Sequence, residues 1–407
     1  MTRPLLFGNT FRALKYPNFR LFFTGQSISL VGTWMQSVAM SWLVYRLTGS
    51  ALLLGVVGFA SQIPVFIFSP FAGVFADRYN RHRIVVVTQA LAMIQAFILA
   101  GLTIWGRIQV WQILSLGFFL GCVNAVEIPA RQAFLIDMVE SRKDLLGNAI
   151  ALNSAIFNTA RFIGPTLAGI IVAIVGEGIC FLVNAVSFVA VLVCLLLMKI
   201  TPKEFKPSGK HIFDELREGL AYAFGSRPIR MILFLLSIIS MLGMSYIVLM
   251  PIFAAEVHHG GSKMLGLMMA SVGAGALSAT LYLASRREPP TLEKFIPAAA
   301  ALFSSSIILF ALARAFWVSM LLLAATGFGF LLTTASSNTI IQTTVQDDKR
   351  GRVMAFYTIA FLGMAPIGSL LAGAVANKIG APDALLLGGT LCLFATFIFY
   401  RLTHPRN

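Results

Sequence analysis

The chain has 407 residues, 58% of them hydrophobic and only 12% charged, with a net charge of +15. A soluble globular domain carries about twice that charged fraction, so an ordinary water-soluble fold is excluded. A nucleic-acid partner is not implied either, because the positive charge follows membrane topology.

Twelve apolar runs lie at roughly 20–45, 51–75, 84–105, 108–130, 147–174, 179–198, 229–254, 264–284, 295–313, 316–343, 352–376 and 384–401. Each is near the ~20 residues that a helix needs to cross a bilayer. They read as helices rather than barrel strands because they are continuously apolar instead of alternating. The first run is long, carries polar residues and lacks a small-residue cleavage site, so no cleavable signal peptide is expected. With the N-terminus inside, Arg46, Arg107, Lys263, Arg314 and Lys378 fall outside, Arg161 falls within a span, and every other Lys and Arg is cytoplasmic. This positive-inside bias places both termini in the cytoplasm. Cys122, Cys180, Cys194 and Cys392 all lie in apolar runs, which implies no disulfide framework.

Polar and ionisable groups inside spans are costly and mark function. The first span carries Gln26, Ser29, Thr33 and Gln36 at helical spacing, a stripe suited to a cavity wall or to hydrogen bonding between helices. The fourth carries Asn124, Glu127 and Arg131. Glu127 is the one carboxylate placed inside a span; burial disfavours its charge and Arg131, one turn on, favours it. That makes the pair a candidate for proton coupling, with a static ion pair as the competing reading. The fifth span carries Asn153, Asn158 and Arg161, the tenth Asn338 and Gln342, and the eleventh Tyr357, all candidate cavity residues.

Arg161 shares a helical stripe with Gly164 and Ala168, which reads as a close-packed helix interface. On the eighth span Gly266, Ala270, Ala274 and Ser278 form a small-residue ladder, the expected partner of that stripe. Met241, Met244, Met264 and Met268 read either as an adaptable surface for apolar ligands or as ordinary packing. His258 and His259, adjacent on an outer loop, read as solvated rather than as metal ligands. No metal site and no cofactor are expected.

Between the sixth and seventh spans lies the longest polar stretch. Ile212, Phe213, Leu216, Leu220 and Phe224 give it one apolar face, as in a helix lying on the membrane surface. It divides the chain into a first bundle (1–198), a linker (199–228) and a second bundle (229–407). The bundles are related in sequence. At a constant offset of 204 residues, Gly147 meets Gly351, Gly164 meets Gly368, and Leu167-Ala168-Gly169 meets Leu371-Ala372-Gly373. Parallel six-span repeats are a transporter architecture, with the substrate path between them.

GVFADRYNRHR, residues 73–83, resembles the signature loop between the second and third spans of the major facilitator superfamily, with Asn80 where glycine is usual. Asn also accepts positive φ, which makes the exchange tolerable. PARQAFLIDMV, ALNSAIFNTARFIGPTLAG and RGRVMAFYTIAFLGMAPIGSLLAG resemble the bacterial branch that includes enterobactin-exporter-like and macrolide-efflux-like proteins. The resemblance implies twelve transmembrane helices in two pseudo-symmetric bundles. It also implies a cytoplasmic latch across them. Gly73 would permit close helix approach and Asp77 would be the anion. Arg131, or the start of the eleventh span near Arg352, would be the partner, and Arg78, Arg81 and Arg83 would be either gating or topology residues. Gly164, Pro165 and Gly169 resemble the fifth-span antiporter motif, with Ala168 replacing one glycine, which favours efflux. The fourth-span arginine of proton-coupled drug exporters is missing; its position falls on Gly117.

The expected function is therefore secondary active export of small amphipathic or hydrophobic molecules, drug-like or siderophore-like, by a monomer in the bacterial plasma membrane with protons as the driving ion. Proton-coupled uptake by the same fold is the alternative. An enzyme or a non-transporting sensor is remote: there is no nucleophile–base arrangement, metal cluster or phosphate-cradling loop in or near the spans.

Overall fold

The computed structural model describes residues 12–139, 143–199, 224–285 and 292–403, without the side chains of 69–78, 136, 137, 139, 143, 144, 292–294 and 347–352. Among the described residues, twelve helical rods follow one another. They are α1 (Pro17–Thr48), α2 (Ala51–Arg78), α3 (Arg81–Ile104), α4 (Val110–Val139), α5 (Lys143–Val175) and α6 (Glu177–Leu196), then α7 to α12. α7 is a compound rod in which Arg227–Ile238 and Tyr246–Ile252 are each followed by a π-helical turn, Ile239–Gly243 and Phe253–Val257. Next come α8 (Ser262–Ser285), α9 (Leu292–Leu312) and α10 (Phe316–Thr344). α11 joins Asp347–Thr358 to Met364–Ile379 through a π-helical turn at Ile359–Gly363, and α12 is Ala381–Thr403. Eleven rods are long and apolar enough to span a bilayer. α1, at 32 residues, has the length, but its polar stripe lowers its hydropathy.

The rods group by contact. α1 packs on α5 and α6, α3 on α4 and α6, and α2 on α4; α9 packs on α10 and α12, α8 on α10, and α7 on α11 and α12. The two groups meet along α5–α8 and α2–α11. The expected linker helix over 212–224 lies outside the described residues apart from the exposed Phe224.

The sequence repeat has a three-dimensional counterpart. Gly176 and Gly380, 204 residues apart, both hold positive φ (85° and 91°) where α5 turns into α6 and α11 into α12. A side chain at either position would meet the carbonyl clash that L-residues avoid. Gly164 lies against α1 within the first bundle, where an added Cβ would come 2.5 Å from the Trp34 Cβ. Gly368 lies in the same way against the Met241 backbone of α7. Five residues on, Gly169 meets Gly266 of α8 across the bundles, and Gly373 meets Gly55 of α2. The sequence suggests that the Gly164 stripe faces the α8 ladder, but Gly266 of the ladder faces Gly169 and the Pro165 carbonyl, and Gly273 beside the ladder lies on the Arg161–Phe162 backbone. Gly164 and Gly169 are five residues, roughly 500°, apart on the helix, so they point to different neighbours. Ser278 at the far end of that ladder is exposed.

Asn80 also differs from expectation. Its φ is −62°, not positive, and its side chain caps α3 by accepting from the Arg83 N–H at 3.1 Å. Asn80 serves as an N-cap, a role that glycine cannot fill with a side chain.

One apolar core joins the α1–α2 end of the first bundle, through Leu43, Val44 and Val172, to Phe253 and Leu265 of the second, where it continues to the opposite end through Ile229, Val345 and Phe399. A second, separate core lies in the first bundle towards the α2–α3 turn, around Phe22, Val85 and Phe134. The bundles are thus fused at the α1–α2 end.

Candidate functional site

A cavity of about 310 Å³ opens among α1 to α6. The α1 stripe supplies Gln26, Ser29, Thr33 and Gln36 to its wall, α2 supplies Ser61 and Gln62, α3 Thr88 and Gln89, and α4 Asn124, Glu127 and Arg131. Helical spacing explains the grouping: residues three or four apart share one face, so each helix contributes a polar column. Gly117 also lines the cavity. An added Cβ there would lie 2.6 Å from the Ser61 hydroxyl oxygen, and one at Gly121 would lie 2.5 Å from the Ser61 carbonyl oxygen. The tight α2–α4 crossing therefore takes the place where an exporter arginine was looked for.

The chemistry centres on Glu127. Its side chain is buried, and its Oε1 accepts from Arg131 Nε at 2.7 Å and from Gln89 Nε2 at 3.2 Å. Both donors converge on one oxygen. Around the pair, Gln26 Nε2 and Gln89 Oε1 are buried and have no hydrogen-bond partner. A buried donor and a buried acceptor left open on one cavity wall are costly unless water or a polar solute satisfies them.

Other parts of the expected cavity wall are already engaged. Gln36 donates to Gln95 Oε1 at 3.1 Å and accepts from Asn184 Nδ2 at 2.8 Å, tying α1, α3 and α6 together. Tyr357, on α11, donates its hydroxyl to the Thr334 carbonyl oxygen of α10 at 3.1 Å. Asn158 donates to Ser154 O within α5 at 3.0 Å, and Asn338 accepts from Gln342 within α10. Asn153 keeps its buried Oδ1 unpartnered. Arg161 stands apart from the polar cavity, with its guanidinium carbon 5.6 Å from the Trp34 ring centroid and 5.9 Å from that of Phe330.

The sequence reading passed over Gln89, Gln95 and Asn184. The rule that singled out the first and fourth spans, a polar residue inside an apolar run, applies equally to these three.

The first turn of α3 carries His82, whose Nε2 lies 2.9 Å from the Leu195 carbonyl oxygen and whose ring lies 5.5 Å from Phe134. The expected latch side chains Asp77, Arg78 and Arg352, with Gly73 among them, fall outside the described side chains. At the α1–α2 end, Tyr45 donates to Glu256 Oε1 at 3.0 Å, joining α1 to α7 across the bundles. Arg46 pairs with Glu177 through Nε at 2.8 Å. His258, just beyond α7, is held below the usual histidine range, first by burial and then by the positive charges of Arg314 and His259. Those cations disfavour a metal ion there.

The transmembrane secretion effector family matches residues 8–407 of the chain. The chain is 28% identical to the staphyloferrin A transporter of Staphylococcus aureus (strain NCTC 8325 / PS 47), over 94% of this chain and 95% of that protein. It is 21% identical to the macrolide efflux protein A of Streptococcus pyogenes, over 93% and 95%. Among solved structures it resembles a POT family transporter in complex with a thioalcohol-conjugated peptide, with a TM-score of 0.76, 13% identity, and coverage of 93% of this chain and 94% of that one.

Proposed function

Because the chain belongs to the transmembrane secretion effector family of major facilitator transporters, we propose that it exports small amphipathic molecules by alternating access. It is a multi-pass transporter of the plasma membrane, not an enzyme. A siderophore transporter and a macrolide efflux protein among its relatives support efflux of drug-like or siderophore-like solutes.

The observation that carries the reading is the pairing of the open polar cavity around Glu127 with fusion of the bundles at the α1–α2 end. With that end outside, as the positive-inside bias orients it, the arrangement is inward-facing, and small-residue crossings close the outer side. We take the chain as bundles 1–198 and 229–407 joined by 199–228, working as a monomer. Asp77, with Arg131 or the start of α11 near Arg352, forms the opposite, cytoplasmic closure, and Arg78, Arg81 and Arg83 flank it. Glu127, in contact with Arg131, carries the coupling proton in this reading.

Counterflow in proteoliposomes of defined orientation tests the direction. Solute extruded from the face bearing the α2–α3 loop, and not taken up there, supports export; inward accumulation would replace it with uptake.

A further inference from the structure

The arginines inside the described bundles are not equivalent. Arg131 is neutralised by Glu127 and Arg46 by Glu177, whereas Arg161 has no carboxylate partner among the described residues. It occupies the middle of α5, so its charge sits at membrane depth, where an unpaired cation is expensive to keep.

The neighbours of Arg161 come from both bundles. Trp34 of α1 and Phe330 of α10 present their rings to its guanidinium carbon, at 5.6 and 5.9 Å. The Tyr246 hydroxyl of α7 faces the same guanidinium. That tyrosine is 1% exposed, and its oxygen has no hydrogen-bond partner at normal geometry. Ring faces attract the cation but offer no lone pair to its five N–H donors. The box therefore holds an uncompensated charge, a set of open donors and a buried hydroxyl. Arg161 itself is only partly buried.

We propose that Arg161 is the docking point for an anionic group of the transported molecule, and that the substrates are aromatic or otherwise amphipathic carboxylates. A carboxylate matches the planar fork of guanidinium with two parallel hydrogen bonds. Tyr246 adds a donor from the second bundle, while Trp34 and Phe330 cover the apolar body beside the charge. Phe157, one turn before Arg161, stacks edge-on against Trp34 at 5.8 Å and also lines the polar cavity. Phe157 thus borders both the anion box and the Glu127 cavity.

This assignment rests on the exporter reading and names its substrate class. Two xanthene dyes of similar size and opposite charge test it: 5-carboxyfluorescein and rhodamine 123, with binding to the purified full chain followed by fluorescence polarisation. The wild type should bind 5-carboxyfluorescein more tightly than rhodamine 123. Arg161→Gln should weaken 5-carboxyfluorescein by about tenfold to a hundredfold, as for loss of a charged hydrogen bond, with a much smaller change for rhodamine 123. Arg161→Lys should fall between. Equal affinity of the wild type for both dyes, or equal loss of both in a folded Arg161→Gln protein, overturns the proposal. If Arg161→Gln fails to fold, the discrimination by the wild type and its reduction in Tyr246→Phe decide the matter. Extrusion of rhodamine 123 but not 5-carboxyfluorescein from proteoliposomes would overturn the anion site and leave the exporter standing. Inward accumulation of either dye would instead remove the exporter reading.

Discussion

Gly55 of α2 and Gly373 of α11 cross so closely that a Cβ on the first would lie 2.9 Å from the Cα of the second. Gly169 and Gly266 make the equivalent crossing between α5 and α8, also at 2.9 Å. These are the two seams along which the bundles are joined, and only residues without side chains fit them. Gly373→Leu and Gly169→Leu should therefore oppose closure of the α1–α2 end. Overpacking of this kind costs about 1–3 kcal/mol, which shifts a two-state balance by about 5–150-fold. In a background with Cys122, Cys180, Cys194 and Cys392 replaced by Ser, thiol labelling of Tyr45→Cys should rise, and transport should fall. Leu167→Ile, at an exposed position on α5, should change neither; equal behaviour of all three variants would mean that the seams do not gate.

Glu127→Gln preserves shape and keeps an acceptor for Gln89 but fixes the neutral form. Accumulation of substrate driven by a proton gradient should be abolished while downhill exchange persists. Vesicles of this variant that still concentrate substrate with the normal pH dependence would make the Glu127–Arg131 contact a structural ion pair only.

The Arg46–Glu177 pair is lopsided: the arginine side chain is 53% exposed and the glutamate 7%. Once unpaired, Arg46 can turn to water and Glu177 cannot. Arg46→Ala should therefore cost more stability than Glu177→Gln, about 1–3 kcal/mol against about 1 or less. Thermal unfolding of the two purified variants at neutral pH gives the order; the reverse order would show that Glu177 reaches solvent.

His258 supplies a pH dependence. Its folded form binds a proton less readily than the unfolded chain. As pH falls through the ordinary histidine range, near 6.5, the unfolded state takes up the proton first and stability declines. Above that range both states are neutral and the effect is absent. The midpoint temperature of the wild type should drop between about pH 7 and pH 5.5 by more than that of His258→Gln. Parallel pH profiles would show that His258 stays solvated.

The spans and the repeat were legible because burial in lipid demands long apolar runs and because close crossings demand glycine, and both leave marks in one dimension. Orientation around a helix was less legible. Gly164 and Gly169 look alike in sequence, yet one faces Trp34 and the other Gly266, since only the assembled bundle says which neighbour lies where. The polar stripe of α1 could be read as a column, but not that Gln36 is used up by Gln95 and Asn184 while Gln26 stays open. Hydrogen-bond partners come from distant segments, and residue type fixes the capacity for a bond without fixing its partner. Arg161 was visible as a charge in a span; its aromatic surroundings, drawn from α1, α7 and α10, were not.

The π-helical turn at Ile359–Gly363 gives the repeat a difference in phase. In α5, Asn153 and Gly164 are eleven residues apart on an uninterrupted α-helix, about three full turns, so they share an azimuth. Tyr357 and Gly368 have the same separation in α11, but the intervening π turn spreads an extra residue over one revolution. The part of α11 before the turn is consequently rotated by roughly 100°, one residue's worth, relative to its counterpart in α5. Asn153 keeps an unanswered carbonyl, whereas Tyr357 swings round to bond α10. Spacing in the two repeats is the same to the residue, yet the walls they present at one depth are chemically unlike. The asymmetry of the transporter is written in helical azimuth, with no insertion or deletion to announce it.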